Sequence, residues 1–273
     1  AREHARRIMA GKDCEAQGEA GWLAGLPVAI KDLADVGGVR TTYGSPIFAD
    51  HVPDTSHPLV QRIERKGGIV IAKSNTPEFG AGASTFNEVF GRTRNPWNPE
   101  RSAGGSTGGG AAGLASGMIG VAEGTDLGGS LRIPASFCGI VGIRPSPGLV
   151  PTHPTDWLWD DLGVSGPMAR TAEDVALALG AMAGPDPRSP MRHPVEGRDF
   201  LEGIRDTHIE GLRLAYSPDL AGIGIDPPIE DRCRAAALGL ADGGAKVDSV
   251  EMNLPEARKA FLHLRGVWFA THM

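Results

Sequence analysis

Apolar residues occur along the chain in two patterns, one with helical spacing and one continuous, and the two patterns alternate. In the stretch SHPLVQRIERKGGIVIAKSN, Leu59, Val60 and Ile63 lie on one face of a predicted helix, which a glycine pair ends. The apolar run 69–72 that follows is short and predicts a strand. A helix followed by a strand is the repeating unit of α/β proteins.

The same order recurs farther along the chain. The stretch TGGGAAGLASGMIGVAEGTD predicts a helix of small residues and then a strand around Ile119 to Ala122. In TAEDVALALGAMAG, Thr171 is the predicted N-cap, and Asp174 takes a capping-box-like position. The stretches GLRLAYSPD and AKVDSVEM predict strands on either side of a helix near Ile229 to Leu240.

This alternation predicts an α/β fold, with a mixed, largely parallel twisted sheet surrounded by helices. A chain of 273 residues can bury a substantial core, and we expect a single domain over residues 1–273. The proline-rich stretch 185–194 is interpreted as a surface loop or a weak boundary. Sites in such sheets lie beyond the carboxyl ends of strands, and the turn 124–130 follows such an end.

Charge and composition narrow the class of partner. The chain carries 27 lysines and arginines against 33 aspartates and glutamates, a net charge of −6, and the two signs are mixed along it. We therefore expect no nucleic-acid partner and no membrane partner, but a small-molecule or peptide-like substrate. No apolar run approaches the roughly 20 residues of a membrane span. The oligomeric state is left open, a homodimer included.

Cysteines and histidines argue against a disulfide framework and against metal chemistry. Cys14, Cys138 and Cys233 are widely spaced without a CxxC pair, which favours a reducing cytoplasm. The histidines show neither HxxxH nor HExxH spacing. We expect no metal and no cofactor.

Three segments can carry chemistry. In GLPVAIKDL, Lys31 ends an apolar run, where it either snorkels or pairs with Asp32, or else serves as a neutral base. In SAGGSTGGGAAG, glycines surround Ser106 and Thr107 in either a close-approach loop or a flexible linker. In GTDLGGSLRIPASFCG, a glycine pair precedes Ser130 in either an oxyanion hole or a bulged strand end.

Familiar motifs do not account for these segments. Residues 104–108, GGSTG, satisfy the G-x-S-x-G elbow of α/β-hydrolases, but the polar, proline-broken stretch before them is not a strand. The glycine run lacks the Lys-Ser or Lys-Thr that closes a P-loop. The S-x-x-K signature of β-lactamases is absent near these serines.

Together the segments closely resemble the amidase signature family. The resemblance runs through GLPVAIKD, AKSNTPEFG, NPWNPERSAGGSTGGGAA, GTDLGGSLRIPASFCGIVGIRPS and SGPMARTAEDVALAL, which cover about residues 25–185. It implies amide hydrolysis on a mixed sheet surrounded by helices, with Ser130 as the acylated nucleophile, Ser106 as the bridging serine and Lys31 as the terminal base. The peptide bond before the bridging serine is expected to be cis. The implied oxyanion-hole amides are those of Leu127, Gly128, Gly129 and Ser130.

Elementary chemistry agrees with these roles. A serine hydroxyl attacks poorly until a base removes its proton, and a desolvated lysine with a lowered pKa can be that base. We expect Arg132 to pair with Asp126 and brace the turn, because a buried guanidinium requires a partner. The family usually has a second serine where this chain has Thr107, whose hydroxyl is expected to cap the next helix or contact substrate.

Family members usually extend beyond this chain at both ends, and we therefore expect a fragment. The leading hypothesis is an amidase acting through an acyl-enzyme, because TPEFGAGASTFNEVFG resembles free-standing amidases more than transferase subunits. The alternatives are a glutaminase-type subunit of a tRNA-dependent amidotransferase and a catalytically inactive binding protein with the same fold.

Overall fold

A computed structural model of the protein describes residues 1–155, 157–195, 198–205, 208–219, 222, 224–252 and 254–272. The chain divides into two compact units, Ala1–Arg205 and Asp206–Met273. The proline-rich stretch 185–194 therefore lies inside the first unit and is not the boundary.

The secondary structure of the first unit is a series of short helices and strands. The helices are α1 (Arg2–Met9), α2 (Pro58–Arg65), α3 (Gly108–Ala115), α4 (Arg132–Cys138), α5 (Ala172–Met182) and α6 (Phe200–Arg205). The strands are β1 (Pro27–Lys31), β2 (Ile69–Ser74), β3 (Phe86–Asn87), β4 (Gly91–Arg92), β5 (Val121–Asp126), β6 (Val141–Gly142) and β7 (Val164–Ala169).

Five of these strands form one mixed sheet in the order β2-β1-β5-β7-β6. β1 pairs in parallel with β2 and β5, while β7 runs antiparallel to β5 and β6. Within this sheet, four strands therefore run in the same direction and β7 runs in the opposite one, and the predicted mixed, largely parallel sheet is confirmed. β3 and β4 form a separate antiparallel pair.

Alternation along β1 divides the core into two faces. Val28 and Ile30 face one side, where they pack with residues of α2 and α5. Ala29 faces the other side, where it packs with residues of α3 and α4. Lys31 continues the alternation on the side of Ala29, toward the helix that Ser106 precedes. The sheet thus carries helices on both faces, as predicted.

The helix and strand predictions are confirmed with one shift. α2 buries Leu59, Val60 and Ile63 as expected, and Thr171 caps α5 by accepting the Asp174 backbone N–H. β5, predicted around Ile119 to Ala122, instead begins at Val121 and continues through polar residues to Asp126. Its polar end is ordered because tertiary hydrogen bonds satisfy the side chains there.

The second unit contains the predicted strand–helix–strand segment. β8 (Arg213–Tyr216) and β9 (Lys246–Ser249) pair in parallel, and α7 (Pro227–Asp242) connects them. α8 (Ala257–His272) follows. Among the helices that the structure describes, none has both the length and the apolar character that a bilayer crossing requires.

Candidate active site

Lys31 is a fully buried residue of the site. It is the last residue of an apolar strand, and its side chain is 0% exposed. Its Nζ atom lies 2.6 Å from Ser106 Oγ and 2.8 Å from Thr125 Oγ1. The amine therefore does not snorkel to solvent, and its hydrogen-bond partners are hydroxyls.

Burial changes the protonation of this amine. Desolvation lowers the pKa of Lys31 from 10.5 to about 7, although the carboxylates of Glu123 and Asp126 act in the opposite direction. Near neutral pH a large share of Lys31 is therefore unprotonated. In that state Nζ can accept a proton from the Ser106 hydroxyl, which is what a general base requires.

Asp32 does not pair with Lys31, contrary to one of the two interpretations of the lysine. Its Oδ2 accepts from the Thr42 backbone N–H at 3.0 Å and from the Thr42 hydroxyl at 2.5 Å. Its Oδ1 lies 3.4 Å from Lys73 Nζ. Asp32 thus forms a separate buried ion pair with Lys73. The sequence analysis missed this pair because Lys73 lies on another strand, β2.

The loop that carries Ser106 is tightly held rather than a flexible linker. The Gly105–Ser106 peptide bond is cis, as the family resemblance implied. The Thr85 hydroxyl donates to the Gly104 carbonyl at 2.9 Å and accepts from the Gly108 N–H at 3.0 Å. Ser106 itself is 2% exposed. Thr85 was not identified from the sequence, because it lies outside the glycine-rich motif.

Thr107 does not cap α3 with its side chain, and that prediction is wrong. Its buried hydroxyl turns instead toward the Thr125 carbonyl, 3.4 Å away, while Thr85 bonds the first amide of the helix. The predicted contact between Thr107 and substrate stays a prediction.

The two serine segments lie against each other. The Thr107 N–H donates to the Ser130 carbonyl at 3.2 Å, and Ser130 itself is half-buried. Gly124 permits this approach, because a Cβ there would lie 2.4 Å from Thr107 Cγ2. The Ser106 loop and the turn that carries Ser130 are therefore in close backbone contact.

Asp126 organises the turn between β5 and α4. Arg132 donates to both of its carboxylate oxygens at 3.0 Å, and the amides of Gly129 and Leu131 donate at 2.8 and 3.1 Å. Burial alone would raise the pKa of Asp126, but these hydrogen bonds outweigh it and hold the pKa below 3.8. The buried member of the ion pair is the carboxylate, since Arg132 is 55% exposed.

The predicted oxyanion hole needs one correction in this structure. The Gly129 N–H is taken by Asp126, so it does not point freely at an incoming oxygen. The amides of Leu127, Gly128 and Ser130 have no acceptor within the part of the chain that the structure describes. Gly129 contributes differently, since its φ of 113° gives the turn a shape that other residues rarely adopt.

Arg144 is a second arginine at this turn that the sequence analysis did not single out. Its guanidinium donates to the Asp126 carbonyl and, at 2.8 Å, to the Leu162 carbonyl. It lies in the motif segment that ends in GIRPS, just after β6. The turn is therefore held from both sides.

The described part of the chain contains no group of three or more histidine, cysteine, aspartate or glutamate side chains placed to hold a metal ion. The chemistry described above uses hydroxyls, an amine and backbone amides.

Comparison with protein families and curated sequences gives consistent matches. A family model described as Amidase matches residues 1–272. The chain is 38% identical to the glutamyl-tRNA(Gln) amidotransferase A subunit of Thermosynechococcus vestitus, over 92% of this chain and 50% of that protein. It is 39% identical to the protein of the same name from Carboxydothermus hydrogenoformans, over 94% of this chain and 51% of that protein.

Solved structures add further similar proteins. A bacterial aryl acylamidase of the amidase signature family matches with a TM-score of 0.85 and 31% identity, over 99% of this chain and 54% of that one. The glutamyl-tRNA(Gln) amidotransferase A subunit of Thermotoga maritima matches with a TM-score of 0.77 and 35% identity, over 83% of this chain and 50% of that one. The chain thus spans about half the length of these proteins.

Proposed function

The chain belongs to the amidase family, and from that premise we propose that it cleaves a carboxylic amide through an acyl-enzyme on Ser130. One observation carries the proposal: a fully buried lysine amine lies 2.6 Å from the hydroxyl of Ser106. Burying a lysine amine costs solvation free energy, and this cost lowers its pKa. The amine is then partly unprotonated near neutral pH and can act as a base.

The first half of the reaction forms the ester. Neutral Lys31 takes the proton of Ser106 as Ser106 takes that of Ser130, and the Ser130 oxygen attacks the carbonyl carbon. The proton then returns along the same path to the leaving nitrogen. The C–N bond breaks, and the acyl group remains on Ser130.

The second half restores the enzyme. A water molecule gives a proton to Ser106 as Ser106 gives its own to Lys31, and the water oxygen attacks the ester carbon. The bond between that carbon and Ser130 Oγ then breaks, and the proton returns from Lys31 through Ser106 to Ser130. The carboxylic acid leaves and the three side chains return to their starting protonation. In both halves the amides of Leu127, Gly128 and Ser130 are the donors available for the negative oxygen.

For the substrate, we favour a glutaminase-type subunit of a tRNA-dependent amidotransferase over a free-standing amidase. The curated relatives support this choice, since both of those described above carry that subunit's name. The resemblance of TPEFGAGASTFNEVFG to free-standing amidases is then the weaker argument. The prediction that nucleic acid plays no part loses its support, because it rested on the charge of this chain alone.

A free-standing amidase is the second candidate. The aryl acylamidase structure supports it, because its match extends over 99% of the chain, more than the 83% of the transferase subunit structure.

Covalent labelling tests the shared chemistry. A serine-directed fluorophosphonate should attach to Ser130, as intact mass and peptide mapping would show, and Ser130→Ala should remain unlabelled. Thr125→Ser, which keeps a hydroxyl beside Lys31, serves as a control that should still be labelled. Labelling of Ser106 in place of Ser130 would overturn the assignment and revive the G-x-S-x-G elbow. No label on a folded protein would favour the inactive binding protein.

Substrate assays separate the two enzymes. A glutaminase subunit should release ammonia from glutamine and should co-purify with partner subunits, whereas a free-standing amidase should turn over aryl or alkyl amides as a lone chain. Ser130→Ala should abolish either activity.

A further inference from the structure

Glu123 is a buried carboxyl that the proposed reaction does not use. It lies on β5, 1% exposed, and faces the α2 and α5 side of the sheet. Apolar side chains line the small cavity beside it, among them Leu23, Val28, Ile63 and Met182. A carboxylate in such surroundings is costly, so its hydrogen bonds and its charge partners decide what it does.

The carboxyl contacts the strand that carries the base. Its Oε2 accepts from the Lys31 backbone N–H at 3.0 Å. The backbone pairing of β1 with β5 covers Val28 with Val121 and Ala29 with Ala122. Beyond that point a side chain, rather than a backbone carbonyl, receives the Lys31 amide. Glu123 thus fixes the end of β1 next to the amine.

The charged groups around this pair are few. Burial raises the pKa of Glu123 above its usual value, and the hydrogen bond from Lys31 with the charges of Lys31 and Lys73 acts against that rise. Glu123 and Asp126 act on Lys31, and both favour its protonated form. Asp126 is neutralised by its own arginine, whereas Asp32 acts on Lys73. Glu123 is therefore the carboxyl whose ionisation bears most directly on the proton of Lys31.

We infer that Glu123 is a positioning residue that anchors Lys31 through its backbone and sets how readily its amine holds a proton. The inference deepens the proposed function and rests on Lys31 being its base. When ionised, Glu123 favours the protonated form of Lys31. Removing that charge should lower the pKa of Lys31, so that the amine stays neutral down to a lower pH but is a weaker base.

Two substitutions separate the charge from the hydrogen bond. Glu123→Gln removes the charge and keeps an acceptor for the Lys31 amide, while Glu123→Met removes both and suits the apolar surroundings. In both variants the acidic limb of the pH profile of kcat/KM should move toward lower pH by about one pH unit, as expected when a nearby opposite charge is lost. The plateau should fall a few-fold in Glu123→Gln, because a weaker base is less effective, and fall further in Glu123→Met, which also loses the acceptor of the Lys31 amide.

Asp32→Asn is the matched control, because it also removes a buried carboxylate near β1 but one that faces Thr42 and Lys73. Its acidic limb should stay at the wild-type position. Thermal melts show which variants fold.

A direct titration makes the test independent of turnover. In protein labelled with 13C at lysine Cε, the Lys31 signal, assigned by its loss in Lys31→Met, should titrate at lower pH in Glu123→Gln than in wild type. An unchanged or higher midpoint in a folded variant would overturn the role of Glu123. If the protein shows no amide turnover but the midpoint moves, the inference about Glu123 stands and the proposed function fails.

Discussion

At the scale of single residues, the decisive feature is the amine of Lys31, which is buried away from solvent. Lys31 is 0% exposed, and its amine has two hydroxyl partners, which can accept hydrogen bonds from it or, when the amine is neutral, donate one to it. This is the condition under which a lysine can change protonation near neutral pH without unfolding its surroundings.

Lys31→Met should abolish catalysis while leaving the fold intact. The thioether side chain fills similar space but accepts no proton, so we expect a loss of at least about 10²-fold in kcat/KM. In wild type the same quantity should fall as pH drops through about 7, because the amine becomes protonated and can no longer act as the base. Lys31→Ala should be comparably inactive. A folded Lys31→Met protein with near wild-type activity would show that Lys31 is structural.

Lys31→Met should also change the stability of the fold, because it removes a buried group that can be charged. The folded-state pKa of Lys31 is below its unfolded value of 10.5, so the folded protein binds fewer protons and loses stability as pH falls from about 10.5 to about 7. Lys31→Met should therefore melt at a higher temperature than wild type at pH 7, and the difference should shrink toward pH 10.5. Thermal melts across this range measure it.

At the scale of elements, the turn between β5 and α4 is held by one carboxylate. Asp126 accepts hydrogen bonds from Arg132 and from two amides of its own turn, so the side chain takes the place of a regular backbone partner. The turn therefore depends on the charge of Asp126 more than on the apolar residues around it.

Asp126→Asn should lower stability at neutral pH by about 2 kcal/mol, the usual range for hydrogen bonds to a charged group. Because the folded pKa of Asp126 is below 3.8, this stability is present above that pH and is lost as pH falls through the folded value. The difference in melting temperature should thus narrow below about pH 4. The exposed Asp161→Asn serves as a control and should melt like wild type throughout.

Gly124 tests the packing of the two serine segments. An alanine Cβ would lie 2.4 Å from Thr107 Cγ2 and 2.9 Å from Leu131 Cδ2, so Gly124→Ala should cost about 1–3 kcal/mol and reduce turnover. Thr107→Ser removes the nearest methyl group and should restore part of both. Gly239→Ala, in a helix with nothing within 4 Å of the new Cβ, should be neutral or stabilising. A Gly124→Ala variant as stable as wild type would contradict the close approach.

At the scale of the whole molecule, the two faces of the five-stranded sheet differ in the residues that they carry. The face covered by α2 and α5 is largely apolar and contains Glu123, while the face covered by α3 and α4 carries the Ser106 loop. β1 contributes to both, which explains how a carboxyl on one side can act on an amine that extends toward the other.

Chelators should leave turnover unchanged. The proposed chemistry uses only hydroxyls, an amine and backbone amides, so treatment with EDTA should not alter kcat or KM. Loss of activity that a divalent metal restores would contradict this expectation.

Local patterns placed several of the elements. The helical spacing of Leu59, Val60 and Ile63 predicted α2, and Thr171 marked the start of α5, because such features depend on neighbours a few residues apart. The family resemblance implied the roles of Lys31, Ser106 and Ser130, which stay predictions. The sequence by itself thus determined the fold class, and the family resemblance indicated which segments form the site.

The tertiary structure alone decided the partners of Lys31, Gly129 and Glu123. Lys31 contacts Ser106, 75 positions away, and Thr125, 94 positions away, rather than the adjacent Asp32. In the fold, the Gly129 N–H donates to the Asp126 carboxylate, and the Lys31 backbone N–H donates to the Glu123 carboxyl. Apolar periodicity states which side of an element is buried, but every buried polar atom must find a specific partner, and that choice depends on the distances the fold creates.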